Sequence, residues 1–353
     1  MSTDTVRFGL VGAGSISQHH LNAIKNIPGA TAVAICDVED RARQRAQEYD
    51  IPETYTDYRD MLQKAPIDAV IVAVPNFLHH EVSLAALKAG KHVLCEKPMA
   101  ISTQYAEQMV QAARQNNKML SIGFVCRYAK SSELTRSMVA AGDLGKVYYA
   151  KAVKTRRKGI PGWGSWFTQK KVAGGGSVFD IGVHALDLTW YVMGCPQPIS
   201  VSGFTQAAFG PQKKGLGEWG TPNFNSSFDV EDMGIGFIRF ANGAVINLET
   251  SWALHTDDED YINIMGDKAG VKLAPLGKDL RIYSEVDGDL VNSTRVTDAG
   301  TMDSIFLGQM RNFVSAITEG TPLRAPAEHG LVVTRMLEAI YASAKSGREV
   351  RLD

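Results

Sequence analysis

The chain has 353 residues, 44% hydrophobic and 21% charged, with a net charge of −1. That length suits two domains with their own cores, and the near-zero charge gives no electrostatic footprint for nucleic acid or an anionic membrane surface. No apolar run approaches the roughly 18 residues that span a bilayer. Met1–Thr5 leads directly into a strand with no room for a signal peptide, and the four cysteines show no C-x-x-C or metal spacing. A cytoplasmic protein with reduced thiols is therefore expected.

Arg7-Phe8-Gly9-Leu10-Val11 reads as a strand ending in Gly12-Ala13-Gly14-Ser15-Ile16-Ser17. A helix follows to about Asn26, its apolar residues at helical spacing. A second apolar strand, Thr31–Cys36, stops at Asp37, 23 residues beyond Gly14. Strand, glycine turn, helix, strand and acid in this order form a dinucleotide-binding βαβ unit. Gly12 allows the tight turn, Gly14 lets a pyrophosphate approach the helix N-terminus, and Ser17 is small enough for close helix–strand packing. Ser15 and Ile16, the first helical residues, join them as expected cofactor contacts. Asp37 can accept hydrogen bonds from both ribose hydroxyls of NAD and would repel the phosphate of NADP. Arg41 and Arg43, one turn on, could soften that repulsion but read as a solvated face. NAD is preferred over NADP.

Ala69–Val74 is a buried-strand run ending at Pro75-Asn76, with Val74 at the expected cofactor edge. A helix opens at His79-His80-Glu81 and stops at Gly90. Val93-Leu94-Cys95 then runs into Glu96-Lys97-Pro98. Strand C-termini of parallel sheets are where ligands bind, so Lys97 is delivered to a place where chemistry could use it; alone, the tripeptide is equally a surface salt bridge. A helix from Ser102 to about Asn116 and a strand at 120–123 complete a doubly wound parallel sheet. This gives a dinucleotide-binding domain over 1–125.

The pattern changes after Phe124, and residues 126–353 read as a substrate-binding and oligomerisation α/β domain, its last helix able to return to the first domain. A helix, 131–141, precedes a strand, 147–154, and a Gly- and Trp-rich loop, 159–166. Gly174-Gly175-Gly176-Ser177 leads into a helix on which Asp180, His184, Asp187 and Tyr191 share one face. That polar stripe either satisfies backbone groups or faces a cavity. A hairpin, 234–240 and 244–252, and strands at 261–265, 271–273 and 280–283 point to an open, mostly antiparallel sheet. Residues 205–227 read as a long loop, over the active site or at a subunit contact. Helices at 303–318 and 327–345 close the chain. A broad open sheet face calls for self-association, as a homodimer or homotetramer.

Gly12-Ala13-Gly14, Pro75-Asn76-Phe77-Leu78-His79, Ala89-Gly90-Lys91-His92-Val93, Glu96-Lys97-Pro98 and Gly174-Gly175-Gly176 with Asp180 and His184 together resemble the Gfo/Idh/MocA family of NAD(P)-dependent oxidoreductases. The likeness covers nearly the whole chain and is nearest to members acting on sugars, glucosides or cyclitols. It implies that Lys97, Asp180 and His184 are the catalytic group, and that Lys97–Pro98 is a cis bond. It also implies that Pro75, Asn76 and His79 line the cofactor, with Glu96 near the nicotinamide ribose. Trp166-Phe167 departs from the Trp-Arg of many relatives.

The expected reaction is oxidation of a polyol's secondary hydroxyl. An imidazole, with a reference pKa near ~6.5, suits His184 as general base. Asp180 would orient it or relay its proton, and Lys97 would stabilise the developing alkoxide. Lys97, Asp180, His184, Arg127, Tyr128, Arg156 and Trp163 are the expected substrate contacts, Trp163 as an aromatic platform. Three other outcomes stay open: an NAD-dependent glycosidase with transient oxidation, a non-catalytic NAD-binding sensor, and a hydrolase with Asp180, His184 and Asp187 on a metal. No second His or Cys cluster completes a metal site, so none is expected.

Overall fold

The computed structural model describes residues 5–298 and 300–352. The chain forms two units. The first runs to Val125 and is joined by Thr301–Val332; the second holds Cys126–Gly300 and the residues from Val333 onward. Sequence reading places one boundary after 125. The structure adds two further crossings, before Thr301 and after Val332, because Thr301–Val332 packs its apolar surface against the first unit's sheet and helices.

In the first unit, β1 (Val6–Val11), α1 (Ser15–Lys25), β2 (Ala30–Cys36), α2 (Glu39–Tyr49), β3 (Glu53–Tyr55), α3 (Tyr58–Lys64), β4 (Ala69–Val72), α4 (Asn76–Lys88), β5 (His92–Cys95), α5 (Thr103–Gln115) and β6 (Leu120–Ile122) alternate along the chain. The six strands are all parallel, in the order β3-β2-β1-β4-β5-β6. Ala69-Val70-Ile71-Val72 is buried throughout, as a strand covered on both faces must be. Strand order reverses between β1 and β4, the place where open parallel sheets bind ligands. Two expected boundaries move: β4 ends at Val72 rather than Val74, and α4 opens at Asn76 rather than His79; β3 and α3 are additions that emerge from a polar stretch with no strand periodicity.

In the second unit, α6 (Lys130–Ala141), β7 (Val147–Thr155), α7 (Lys170–Ala173), α8 (Val183–Val192), β8 (Pro198–Gln206), β9 (Met233–Phe240), β10 (Val245–Ser251), β11 (Glu259–Gly266), β12 (Ala269–Leu273), β13 (Asp279–Val286) and β14 (Asp289–Val296) precede α9 (Met302–Glu319), α10 (Ala327–Ser346) and β15 (Val350–Arg351). α9 belongs to the first unit; α10 begins in the first and ends in the second. The second unit's nine strands run β14-β13-β12-β11-β7-β10-β9-β8-β15, all antiparallel except β10 against β7. β8, β14 and β15 are additions to the expected strands. β8 runs to Gln206 and takes the start of the expected 205–227 loop. β14 is exposed at every position, so it has no buried face to leave an alternating apolar trace.

α9 shows why its stretch returns to the first unit. Phe306 stacks against His19 and meets His20 edge-on, Phe313 lies against Phe8 of β1, and Gln309 donates to the Ile122 carbonyl. The Phe306 and Phe313 side chains are fully buried, each worth on the order of 2–3 kcal/mol of apolar burial.

Candidate active site

In the first unit the expected cofactor residues gather at the C-terminal ends of four neighbouring strands, β2, β1, β4 and β5. Gly12 has φ +106°, and a Cβ there would stand 2.2 Å from the Ala73 carbonyl oxygen; only glycine fits on both counts. Gly14 caps α1 without a side-chain hydrogen bond, and the first turn carries no acid. A Cβ on Gly14 would meet nothing within 4 Å. Open space thus lies before a helix N-terminus whose first N–H groups, including those of Ser15 and Ile16, have no partner within the helix. Ser17, fully buried, donates its hydroxyl to the Gly14 carbonyl and so holds the turn.

Asp37 braces the same loop. Its Oδ2 accepts from the Ala13 N–H at 2.7 Å, its Oδ1 accepts from the Val38 N–H, and Arg41 lies 2.9 Å away. A carboxylate has about four acceptor positions, so capacity is left for a ribose hydroxyl. Open space, an uncapped helix start and an anchored acid fit a dinucleotide such as NAD. Val74, Pro75 and Asn76 form the turn from β4 into α4, with Pro75 as N-cap and Asn76 buried.

Two expected cofactor contacts of this unit, His79 and Glu96, also brace it internally. His79 is buried, with Nδ1 2.7 Å from the Pro98 carbonyl and Nε2 2.9 Å from the Val74 carbonyl. Both ring nitrogens face backbone carbonyls, so His79 ties the turn after β4 to the turn after β5. Glu96 is likewise an internal brace. Its Oε1 lies 2.8 Å from His20 Nε2, and its Oε2 accepts from the Lys97 N–H. Burial pushes Glu96 up, yet His20 and Lys97 outweigh it and hold the carboxyl below its ordinary value. Gly123 permits this packing, since a Cβ there would sit 2.8 Å from Oε2. Lys97 follows, half-buried, with its bond to Pro98 in the cis form.

In the second unit Asp180 and His184 project from an irregular helix. Val178–Gly182 forms a π turn that passes directly into α8; such wide turns are uncommon and cluster at functional sites. Asp180 and His184 are half-buried, whereas Asp187 is 1% exposed. The expected stripe therefore divides into two parts with different work. Asp180 accepts a hydrogen bond at 2.9 Å from the indole N–H of Trp252, a fully buried residue just past β10. Asp187 takes the Arg127 guanidinium on both carboxylate oxygens. Burial pushes Asp187 up and Arg127 opposes it. Tyr191 is sandwiched between Arg127 and Arg136, at 4.5 and 4.6 Å.

Arg127 is therefore not a substrate contact: it is 0% exposed and neutralises Asp187. The same pair removes Asp187 from any metal-ligand trio, and among the described residues no group of three His, Cys, Asp or Glu could hold a metal. Trp163 is also corrected. It packs in a core with Ile160, Ile181, Val230 and Trp252, stacks on Phe228, and donates to the Gly210 carbonyl. Its faces support the 209–228 loop and are not open as a sugar platform. Tyr128 is buried, while Arg156 stays half-buried, its N–H on the Ser251 carbonyl beside Trp252.

The residues that hold the Asp180 helix escaped the sequence reading. Glu231 is buried and accepts from the N–H groups of Gly176 and Val178 and from the Tyr341 hydroxyl. Burial pushes it up, and the Val178, Tyr341 and Gly176 donors oppose that. Asp232 accepts from the N–H groups of Ala208, Phe209 and Gly210. Adjacent acids before an alternating strand, Val230-Glu231-Asp232-Met233, were the available signal.

Two family models match: an oxidoreductase family with an NAD-binding Rossmann fold over residues 6–124, and its C-terminal α/β domain over 136–352. The chain is 35% identical to D-glucoside 3-dehydrogenase of Escherichia coli (strain K12), over 100% of this chain and 99% of that protein. Its fold matches an oxidoreductase domain protein from Kribbella flavida (TM-score 0.87, 26% identity, 99% of each chain). It also matches levoglucosan dehydrogenase in complex with NADH and levoglucosan (TM-score 0.87, 23% identity, 98% and 99% of the two chains). The chain belongs to the Gfo/Idh/MocA oxidoreductase family, with an NAD-binding Rossmann domain and a C-terminal α/β domain.

Proposed function

We propose that the protein is an NAD-dependent dehydrogenase that oxidises a secondary hydroxyl of a sugar, glycoside or cyclitol, with Lys97, Asp180 and His184 as its catalytic residues. The observation that carries this reading is the full-length likeness to D-glucoside 3-dehydrogenase. The half-buried Asp180 and His184 on the π turn and the start of α8 support it, as does Lys97 at the end of a strand in the NAD-binding unit. The chemistry supplied by bound NAD is acceptance of a hydride.

The chain's own groups handle the proton and the charge. His184 takes the hydroxyl proton as general base. Asp180, tethered by Trp252, orients the imidazole and stabilises it once protonated. Lys97 is the proposed cation that stabilises the developing alkoxide. Arg156 and Tyr128 are the remaining candidate substrate contacts, Arg156 half-buried and Tyr128 buried.

The test is reduced-cofactor absorbance on a panel of methyl glycosides, free sugars and inositols. Steady NADH accumulation is expected. Sugar release without NADH would make the protein a glycosidase, and NAD binding with neither would make it a sensor. The reading also includes self-association through the nine-stranded sheet, supported by the exposed Tyr148, Phe204 and Leu290; light scattering should give a dimer or tetramer mass. Among the described residues no helix is long and apolar enough to cross a membrane. None of the four cysteines, all described, forms a disulfide, which supports a cytoplasmic location.

A further inference from the structure

The Gly174-Gly175-Gly176 turn has a physical cause that points beyond the catalytic group. A Cβ on Gly175 would stand 2.0 Å from the Tyr341 hydroxyl, and one on Gly176 would stand 1.9 Å from the Glu231 carbonyl oxygen. Gly175 and Gly176 are glycine because Tyr341 of α10 and the Glu231 backbone just before β9 lie directly against them. With them comes a carboxylate. Glu231 Oε1 lies 3.0 Å from the Val178 N–H and 2.8 Å from the Tyr341 hydroxyl, and Oε2 lies 2.9 Å from the Gly176 N–H. The Val178 N–H opens the helical segment that carries Asp180 and His184, and the Gly176 N–H lies just before its N-cap, Ser177, so the carboxylate sits at the positive end of the peptide dipoles.

The neighbouring strand ends grip the same segment further along. The Thr250 hydroxyl donates to the Ser177 carbonyl, and the Trp252 indole donates to Asp180. Trp252 N–H in turn donates to the Asp232 carbonyl, which joins the two grips across the β9–β10 end. A π turn departs from the i→i+4 pattern of an ordinary helix and is rare, and outside contacts help to hold this one.

We propose that Glu231 is a positioning residue for the proposed dehydrogenase chemistry: its buried carboxylate holds the N–H groups of Gly176 and Val178 and thereby fixes the turn from which Asp180 and His184 project. The proposal rests on the functional reading above, and its failure is separable from that reading's failure.

The experiment uses the full chain with Glu231→Ala, Glu231→Gln, Tyr341→Phe and His184→Ala. Turnover of methyl β-D-glucoside with saturating NAD, NAD affinity and backbone hydrogen exchange are measured for each. Glu231→Ala should lower kcat by about 100-fold, the scale of a small misplacement of reacting groups. It should leave NAD affinity near wild type and raise exchange selectively over residues 176–184. Glu231→Gln keeps an acceptor oxygen and should recover most of the loss, which a merely structural deficit would not show in kcat alone. If Glu231→Ala does not fold, Tyr341→Phe, which removes one donor and spares the carboxylate, should show the same selective exchange in milder form. Unchanged protection of 176–184 in the folded variants overturns the proposal whatever the substrate. Normal turnover of Glu231→Ala beside an inactive His184→Ala overturns the positioning role alone. Wild-type turnover of His184→Ala overturns the functional reading and the proposal with it.

Discussion

The two units build their candidate sites from different material. In the first, the site is largely backbone: glycine turns, an uncapped helix start and four strand ends, with Asp37 and Glu96 bracing peptide N–H groups. In the second, it is side chains on one irregular helix, held by buried carboxylates, an indole and a guanidinium. A backbone-built site should lose binding before stability when disturbed. A site built from buried charged groups should lose stability first.

The largest effect expected from that contrast is at Arg127. Arg127→Ala leaves Asp187 buried without its counter-ion, which should destabilise the protein by about 3–5 kcal/mol, read by denaturant unfolding. A loss below about 1 kcal/mol, the range of a surface ion pair, would show that Asp187 finds another partner. Gly12→Ala should do the reverse. Backbone strain of about 1–3 kcal/mol and the clash with Ala73 should weaken NAD binding by roughly 10–100-fold by calorimetry, with a smaller change in unfolding. An equal loss in both would erase the distinction.

Glu96→Gln tests a smaller effect through pH. The folded carboxyl lies below its ordinary value, so between the two values the unfolded chain binds more protons and stability rises with pH. The wild-type contribution is complete above the ordinary value near ~4.3 and is lost as pH falls through the folded one. Unfolding of Glu96→Gln should be flatter across that acid range, and an identical slope would remove Glu96 as its source. Smallest is Arg41→Ala. That side chain is 58% exposed, so no more than about 1 kcal/mol of stability is at stake, and salt should erase the difference between variant and wild type.

The same contrast explains what the sequence disclosed. The first unit's site lies in contiguous strand–turn–helix stretches, so Gly12, Gly14, Asp37 and Lys97 could be placed by local order alone. His79 and Glu96 sat in the right motifs, but nothing local shows that His79 meets Pro98 or that Glu96 meets His20. In the second unit the polar stripe was visible, but its division was not. Asp187 and Asp180 look alike along the helix, and only Arg127, 60 residues away, separates them. Glu231, Trp252 and Tyr341 lie 55, 72 and 110 residues from the groups they hold, Gly176, Asp180 and Glu231 respectively. Long-range partners of that kind leave no periodic trace. The exposed β14 left none either, since it buries neither face.

The proposed function has Lys97 and His184 both acting in the chemical step, and a double-mutant cycle on turnover tests it most directly. Lys97→Ala and His184→Ala should each lower kcat by about 10²–10⁴-fold, and the double variant should be little worse than the weaker single, because groups acting together in one transition state are not additive. Losses that multiply, or near-normal turnover in either single variant, would contradict the account.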